Sequence, residues 1–251
     1  MPYWKQYMEA MIEVERALMA HEAAAIEKLS GIITESLRKG GVLHLFGTGH
    51  SHLVTEEVFH RSGGLAPISP LLDPSLMFHE GLEKGSALER WEGYATNYVL
   101  PKFDLRAGEV MIVYSTSGRN PAPIEVALAA REKGLYTVGV TSRRVTAALP
   151  SRHSSGKHLD EVVDMVIDLD VPPGDTLIQI EAMPELGATG GASTILGMFL
   201  TNAILCQVVE NFVKAGEKPP LLLCPNVGDA EDIVKANRAT LAPYRCRLPF
   251  L

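Results

Sequence analysis

Three short apolar runs, at residues 42–46, 110–114 and 135–141, each lead into a turn of small or hydroxylated residues, and helix-length stretches separate them. A run that is apolar on both faces reads as a buried parallel strand. Parallel strands need crossover helices, and those helices cover both faces of the sheet. The chain therefore reads as α/β, a doubly wound, five-stranded, mainly parallel sheet of flavodoxin-like type. Further strands are expected over 66–69 and 162–169, with another apolar segment at 177–180. Helices are expected over 51–61, 87–98 and 121–133. The first 40 residues form one long amphipathic helix, with Met8, Met11, Ile12, Leu18, Met19, Ile26, Leu29, Ile33 and Leu37 as its stripe and Gly40-Gly41 as its end. Residues 1–40 are thus expected to pack on the core or on a partner subunit, 41–218 to form the main domain, and 219–251 a Pro-punctuated carboxyl-terminal tail.

Composition excludes several classes of partner. With 46% hydrophobic residues among 251 the chain has enough apolar surface to offset the entropy of ordering it. Its formal charge of -7, with no basic block longer than Arg143-Arg144, argues against nucleic acid. Residues 187–209 carry no charge, but 187–194 are loop-like, and the apolar part at 195–209 holds Thr201, Asn202 and Gln207. That part reads as a buried helix, so no membrane partner is expected. Cys206, Cys224 and Cys246 form no metal- or disulfide-type pair, and the amino terminus lacks a leader's apolar stretch. A cytoplasmic location is expected.

In an open parallel sheet the ligand site lies beyond the carboxyl ends of the strands. The turns there read Gly47-Thr48-Gly49-His50-Ser51-His52, then Ser115-Thr116-Ser117-Gly118-Arg119-Asn120-Pro121, then Thr141-Ser142. In the second, Asn120 suits a helix cap and Pro121 the first helical position. Hydroxyls and backbone N–H groups then converge on a helix amino terminus, which suits a phosphate dianion without a lysine. A merely capped turn has the same composition. The dinucleotide fingerprint fails at His52, where it needs a third glycine. The Walker loop fails at Gly156-Lys157-His158, and no cofactor is expected. His50, His52 and His60 lack a consistent ligand spacing, so no metal is expected.

These turns resemble the sugar isomerase (SIS) family, whose domains hold phosphosugars on a Ser-x-Ser-Gly-x-Ser/Thr/Asn-Pro turn and a Gly-x-Gly-x-Ser loop. The resemblance covers residues 29–214 and makes 41–218 the SIS domain. Overall the chain is most similar to uncharacterised stand-alone SIS phosphosugar-binding proteins, near the muramic-acid-phosphate etherases and heptose-phosphate isomerases. The resemblance implies a sugar-phosphate ligand bound by Gly47, Thr48, Gly49, His50, Ser51, Ser115, Thr116, Ser117, Gly118, Asn120, Thr141 and Ser142. It also implies a homodimer or homotetramer with the site near a subunit junction. The activity implied is a sugar-phosphate isomerase or lyase in the metabolism of carbohydrate derivatives.

Proton transfer beside a carbonyl needs an acid and a base. The heptose isomerases carry a carboxylate on the helix after the first turn and a Gln-Glu-x-x-His motif on the last core helix. Here the first helix offers Glu56, Glu57 and His60, and the last reads Cys206-Gln207-Val208-Val209-Glu210, with no histidine. Glu80, beside His79, and Glu181, between an apolar segment and a Gly-rich turn, are further candidates. The catalytic set taken forward is Glu181, Glu57, His60 and Glu80. For each carboxylate the competing reading is a solvated surface group, and for Glu57 an ion pair with Arg61. The alternative to an enzyme is a non-catalytic sugar-phosphate sensor that regulates a partner protein.

Overall fold

The computed structural model describes residues 1–227 and 229–251. Helix α1 (Tyr3–Arg38) comes first, about 54 Å long at the usual rise per residue. Its second half buries Leu29, Ile33 and Leu37 against the domain, while Trp4, Met8, Ile12 and Met19 in the first half are exposed. Strand β1 (Leu43–Gly47), helix α2 (His50–Glu57) and strand β2 (Ile68–Pro70) follow. Helix α3 (Leu82–Leu88) precedes β3 (Val110–Tyr114), α4 (Pro121–Glu132) and β4 (Tyr136–Thr141). The one-turn α5 (Arg143–Thr146) leads on to β5 (Met165–Asp168).

These five strands form one fully parallel sheet in the order β2-β1-β3-β4-β5. Both faces are covered, as the continuous apolar strands require. One face packs on α1, α2 and the long helix α6 (Ser193–Lys214), around Leu45, Ile112, Leu196, Leu200 and Ile204. The other packs on α4 and the segment around Tyr94 and Val99, through Phe46, Met111, Val113 and Ile124. Helix α6 is long and apolar enough to cross a bilayer. It is instead a core helix, packed against α1 and α2. None of the three cysteines is paired.

The expected helix over 87–98 breaks in the middle. Helix α3 ends at Leu88, Gly93 turns the chain with φ 87°, and a single π-helical turn follows at Ala95–Val99. The apolar segment near 177–180 stays out of the main sheet. Strand β6 (Thr176–Gln179) pairs antiparallel with β7 (Ala188–Gly191), so residues expected to be loop form the second arm of a hairpin. The hairpin rests on α1, where Tyr7 Oη donates to the Gly191 carbonyl at 2.7 Å. Residues 219–251 include helix α7 (Ala230–Leu241), and they return to the core through Leu222, Arg247 and Leu248, all buried.

Candidate functional site

The sheet order reverses direction between β1 and β3, because β1 connects outward to β2 while β3 connects the other way to β4. At such a switch point the two flanking connections diverge and leave a crevice beyond the strand ends. The first two hydroxyl-rich turns meet there. A cleft of about 290 Å³ is lined by Thr48, Gly49, His50 and Ser51 from the first and by Ser115, Thr116, Ser117 and Asn120 from the second. Phe78, Glu89, Val145, Gly174, Asp175 and Ser193 complete its walls.

Backbone geometry brings these turns close. A side chain at Gly47 would put its Cβ 2.4 Å from the Ser51 carbonyl oxygen, so only glycine lets β1 pass directly into α2. Gly118 adopts φ 58°, a left-handed conformation that folds the second turn over itself. Its N–H bonds back to Ser115 Oγ at 3.2 Å and to the Ser115 carbonyl at 3.0 Å. Among the described residues the hydroxyls and backbone N–H groups of Thr116 and Ser117 find no protein acceptor. Beside them stands the amino terminus of α4, opened by Pro121. Unused donors plus a helix terminus make a receptor for an anionic oxygen cluster.

Three expected ligand-contacting or capping groups take other places. Thr141 is fully buried and donates to the Thr116 carbonyl at 3.1 Å, and Ser142 is fully buried and donates to the Val171 carbonyl at 2.7 Å. Both brace the cleft from behind. Asn120 makes no side-chain cap for α4. Its amide instead bridges Glu89 at 2.8 Å and Arg152 at 2.9 Å. At the start of α6, Asp175 does the capping, accepting from Ser193 N at 2.8 Å and from Ser193 Oγ at 2.7 Å.

Two carboxylates line the cleft, neither in the sequence-derived set: Asp175, already engaged in capping α6, and Glu89. Its Oε2 accepts from Thr48 Oγ1 at 2.9 Å and its Oε1 from Asn120 Nδ2. Burial pushes its carboxyl above the ordinary range, against weaker opposing pulls from the Thr48 hydroxyl and from Arg90 and Arg152. A raised carboxyl without a direct cationic partner, in a small polar cleft, is the kind of group that general acid–base chemistry uses.

The four candidates carried from the sequence lie elsewhere. Glu181 is exposed on the hairpin beyond β6. Glu57 pairs with Arg61, and Glu80 pairs with Lys84 at 3.3 Å. His60 is exposed, with φ 49°, in a separate surface depression alongside Arg61, Leu222 and Arg238. The structure therefore does not bring these four into the cleft. Of the first-turn histidines, His50 faces the cleft and meets the edge of Phe78 at 4.9 Å between ring centroids. His52 is buried beneath it, 3.0 Å from Glu56, and burial pushes its imidazole down.

Comparison with known proteins supplies a lineage for this arrangement. Residues 6–142 match the family model described as SIS domain. A UPF0309 protein of Geobacillus kaustophilus (strain HTA426) is 40% identical over 247 residues, spanning 98% of this chain and 96% of the relative. A UPF0309 protein of Listeria innocua serovar 6a is also 40% identical, over 245 residues, with 98% and 97% covered. Among solved structures, a phosphoheptose isomerase from Neisseria gonorrhoeae superposes with a TM-score of 0.54 at 17% identity, covering 83% of this chain and 97% of that one. The sugar isomerase domain of an RpiR transcription factor from Sphaerobacter thermophilus superposes with a TM-score of 0.52 at 15% identity, covering 92% and 94%. At those identities the likeness is one of fold.

Proposed function

This chain belongs to the SIS domain family and groups with the UPF0309 proteins, and on that footing we propose that its cleft binds a sugar phosphate and acts on it as an isomerase or lyase. One observation carries the reading: the unpartnered donors of Thr116 and Ser117 and the half-buried carboxylate of Glu89 open into the same cleft. The phosphate oxygens take the Thr116 and Ser117 donors beside the α4 amino terminus. The sugar then extends between Glu89 and His50. Glu89 removes the proton next to the carbonyl, which forms an enediol or enolate. Return of that proton to the neighbouring carbon, together with transfer of a proton from one enediol oxygen to the other, completes an isomerisation, whereas departure of a substituent one carbon further on, which takes up the proton held by Glu89 as it leaves, completes an elimination. His50 and Asp175 are the other ionisable groups that line the cleft.

The assembly proposed is a homodimer or homotetramer, supported by the exposed Trp4, Met8, Ile12 and Met19 on α1. Light scattering that returned a monomer mass would remove it. The unpaired cysteines support a reducing, cytoplasmic location.

Thermal unfolding against a panel of sugar phosphates tests the binding step. A true ligand raises the midpoint, and Ser117→Ala weakens its binding by about 1.5–3 kcal/mol, as loss of a charge-assisted donor should. A panel that leaves the midpoint unmoved ends the proposal. For a ligand that binds, proton NMR in D2O should show solvent deuterium entering next to the carbonyl, and Glu89→Gln should abolish it. A regulatory sensor is the second reading. It is supported by the last core helix, where Gln207 and Glu210 bond to each other at 2.7 Å and no histidine is present. A stabilising sugar phosphate that neither exchanges nor turns over would favour the sensor.

A further inference from the structure

Arg152 lies outside the set of residues that line the cleft, yet it decides how two of them are oriented. Its Nη1 donates to Asn120 Oδ1 at 2.9 Å, and Asn120 Nδ2 donates to Glu89 Oε1 at 2.8 Å. A guanidinium has no acceptor atom, so it dictates which end of an amide faces it. Asn120 is left with only its NH2 to offer the carboxylate. Glu89 Oε1 is thereby held as an acceptor whether or not the carboxyl is protonated. The exchangeable proton belongs on Oε2, opposite Thr48 Oγ1 at 2.9 Å. A threonine hydroxyl can donate or accept, so it follows that proton in either direction.

We propose that Arg152 is a positioning residue, which acts through Asn120 to reserve Glu89 Oε2 for proton transfer in the cleft. The purpose of this device rests on the phosphosugar reading given above; its geometry does not.

Two further observations support it. Arg152 is itself fixed, since its backbone N–H bonds to the Arg119 carbonyl at 2.8 Å and the next turn is tied to Glu92 through Ser154 N. And among the described residues Arg90, Arg119 and Arg152 make no ion pair with a carboxylate, although all three lie close to Glu89 or to one another. Direct contact between a guanidinium and Glu89 would neutralise the base. An amide placed between them transmits orientation and leaves the carboxylate able to take a proton. The ionisable groups around Glu89 are Arg90 beside it in the chain, Arg152 with Arg119 behind it, and His50 and Asp175 on the other walls of the cleft.

The test is a carbon-13 NMR titration of glutamate side-chain carboxyls in the ligand-free protein, with Glu89 identified by the resonance that Glu89→Gln removes. Arg152 is exposed, so Arg152→Gln should keep the fold, and an unchanged urea midpoint verifies this. Arg152→Gln is expected to raise the Glu89 titration midpoint by about half a pH unit. Asn120→Ala is expected to raise it similarly, and the double substitution to add nothing beyond either single one. Arg152→Lys, which can still donate to Oδ1, should return the midpoint to its wild-type position. An unmoved midpoint in Arg152→Gln overturns the proposal. So does a shift from Arg152→Gln that persists in full on the Asn120→Ala background, because the effect would then be a field through space. No ligand takes part, so a failure of sugar phosphates to bind and a failure of this relay are separate results.

Discussion

Glu109 and Glu89 lie at opposite ends of the central strands, the first immediately before β3 and the second beyond the carboxyl ends of β1 and β3. Glu109 is 3% exposed and takes donors from every side: Val42 N at 3.0 Å, Arg106 N at 3.1 Å, His44 Nε2 at 2.8 Å, and Arg247 Nη1 and Nη2 at 2.6 and 3.0 Å. Burial pushes its carboxyl up, but the His44 and Arg247 hydrogen bonds outweigh burial and hold it at about 2. Glu89 has a hydroxyl and an amide as its direct partners, its two nearby arginines act only at a distance, and there burial wins. The difference separates a carboxylate that its partners hold charged from one that burial pushes toward its neutral form. Glu109 clamps the returning carboxyl-terminal segment to the sheet, whereas Glu89 has no direct cationic partner at the strand ends where the cleft opens.

The largest effect of this contrast is on stability at the clamp. Arg247→Ala leaves a buried carboxylate without its cation, and such losses cost about 3–5 kcal/mol. Urea unfolding should show that drop, and a cost below about 1 kcal/mol would break the comparison. Titration gives a second reading of the same clamp. The folded carboxyl titrates at about 2 against an ordinary value of 4.5. Glu109 therefore contributes about 3 kcal/mol that is fully present above the ordinary value and is lost as pH falls toward the folded one. Acid unfolding of the wild type should lose that amount in this window, and Glu109→Gln should remove the dependence.

The turns at this site were legible because their chemistry is local. Gly47, Gly49, Gly118 and Pro121 announce backbone requirements, and strands with no polar face announce a parallel sheet, so the cleft's floor and the fold follow from short windows. Glu89 was not legible. It falls in a charged stretch, Glu89-Arg90-Trp91-Glu92, which reads as the solvated side of a helix. Its place in the cleft depends on the break at Gly93 and on the bond from Ala122 N to its carbonyl at 3.1 Å, both invisible to helical periodicity. Glu181 shows the opposite failure. The run before it reads only as an apolar segment, because strand pairing is non-local and no short window shows that β6 pairs with β7 and stays out of the sheet. The turn chemistry at Pro184 and Gly187, together with the short strand lengths, was the available hint of a hairpin.

The smallest effect expected is the most telling about Glu89 itself. In Glu89→Gln the amide oxygen can keep accepting from Asn120 Nδ2, and its NH2 can donate to Thr48 Oγ1, which turns from donor to acceptor. Both hydrogen bonds survive in this way, and the penalty for burying a charge disappears. A carboxyl raised in the folded state makes the wild type lose stability as pH rises through its folded value, because the ionised form is the one that burial disfavours. The glutamine variant lacks that slope. At neutral pH it should equal or exceed the wild type by less than about 1 kcal/mol while its proton exchange is lost, in line with the usual opposition between stability and activity at a functional group. Urea unfolding at pH 5 and pH 8 reads both the size and the slope. A loss of about 3 kcal/mol, like that expected at Glu109, would mean that Glu89 is a second structural clamp and that the base in the cleft is another group.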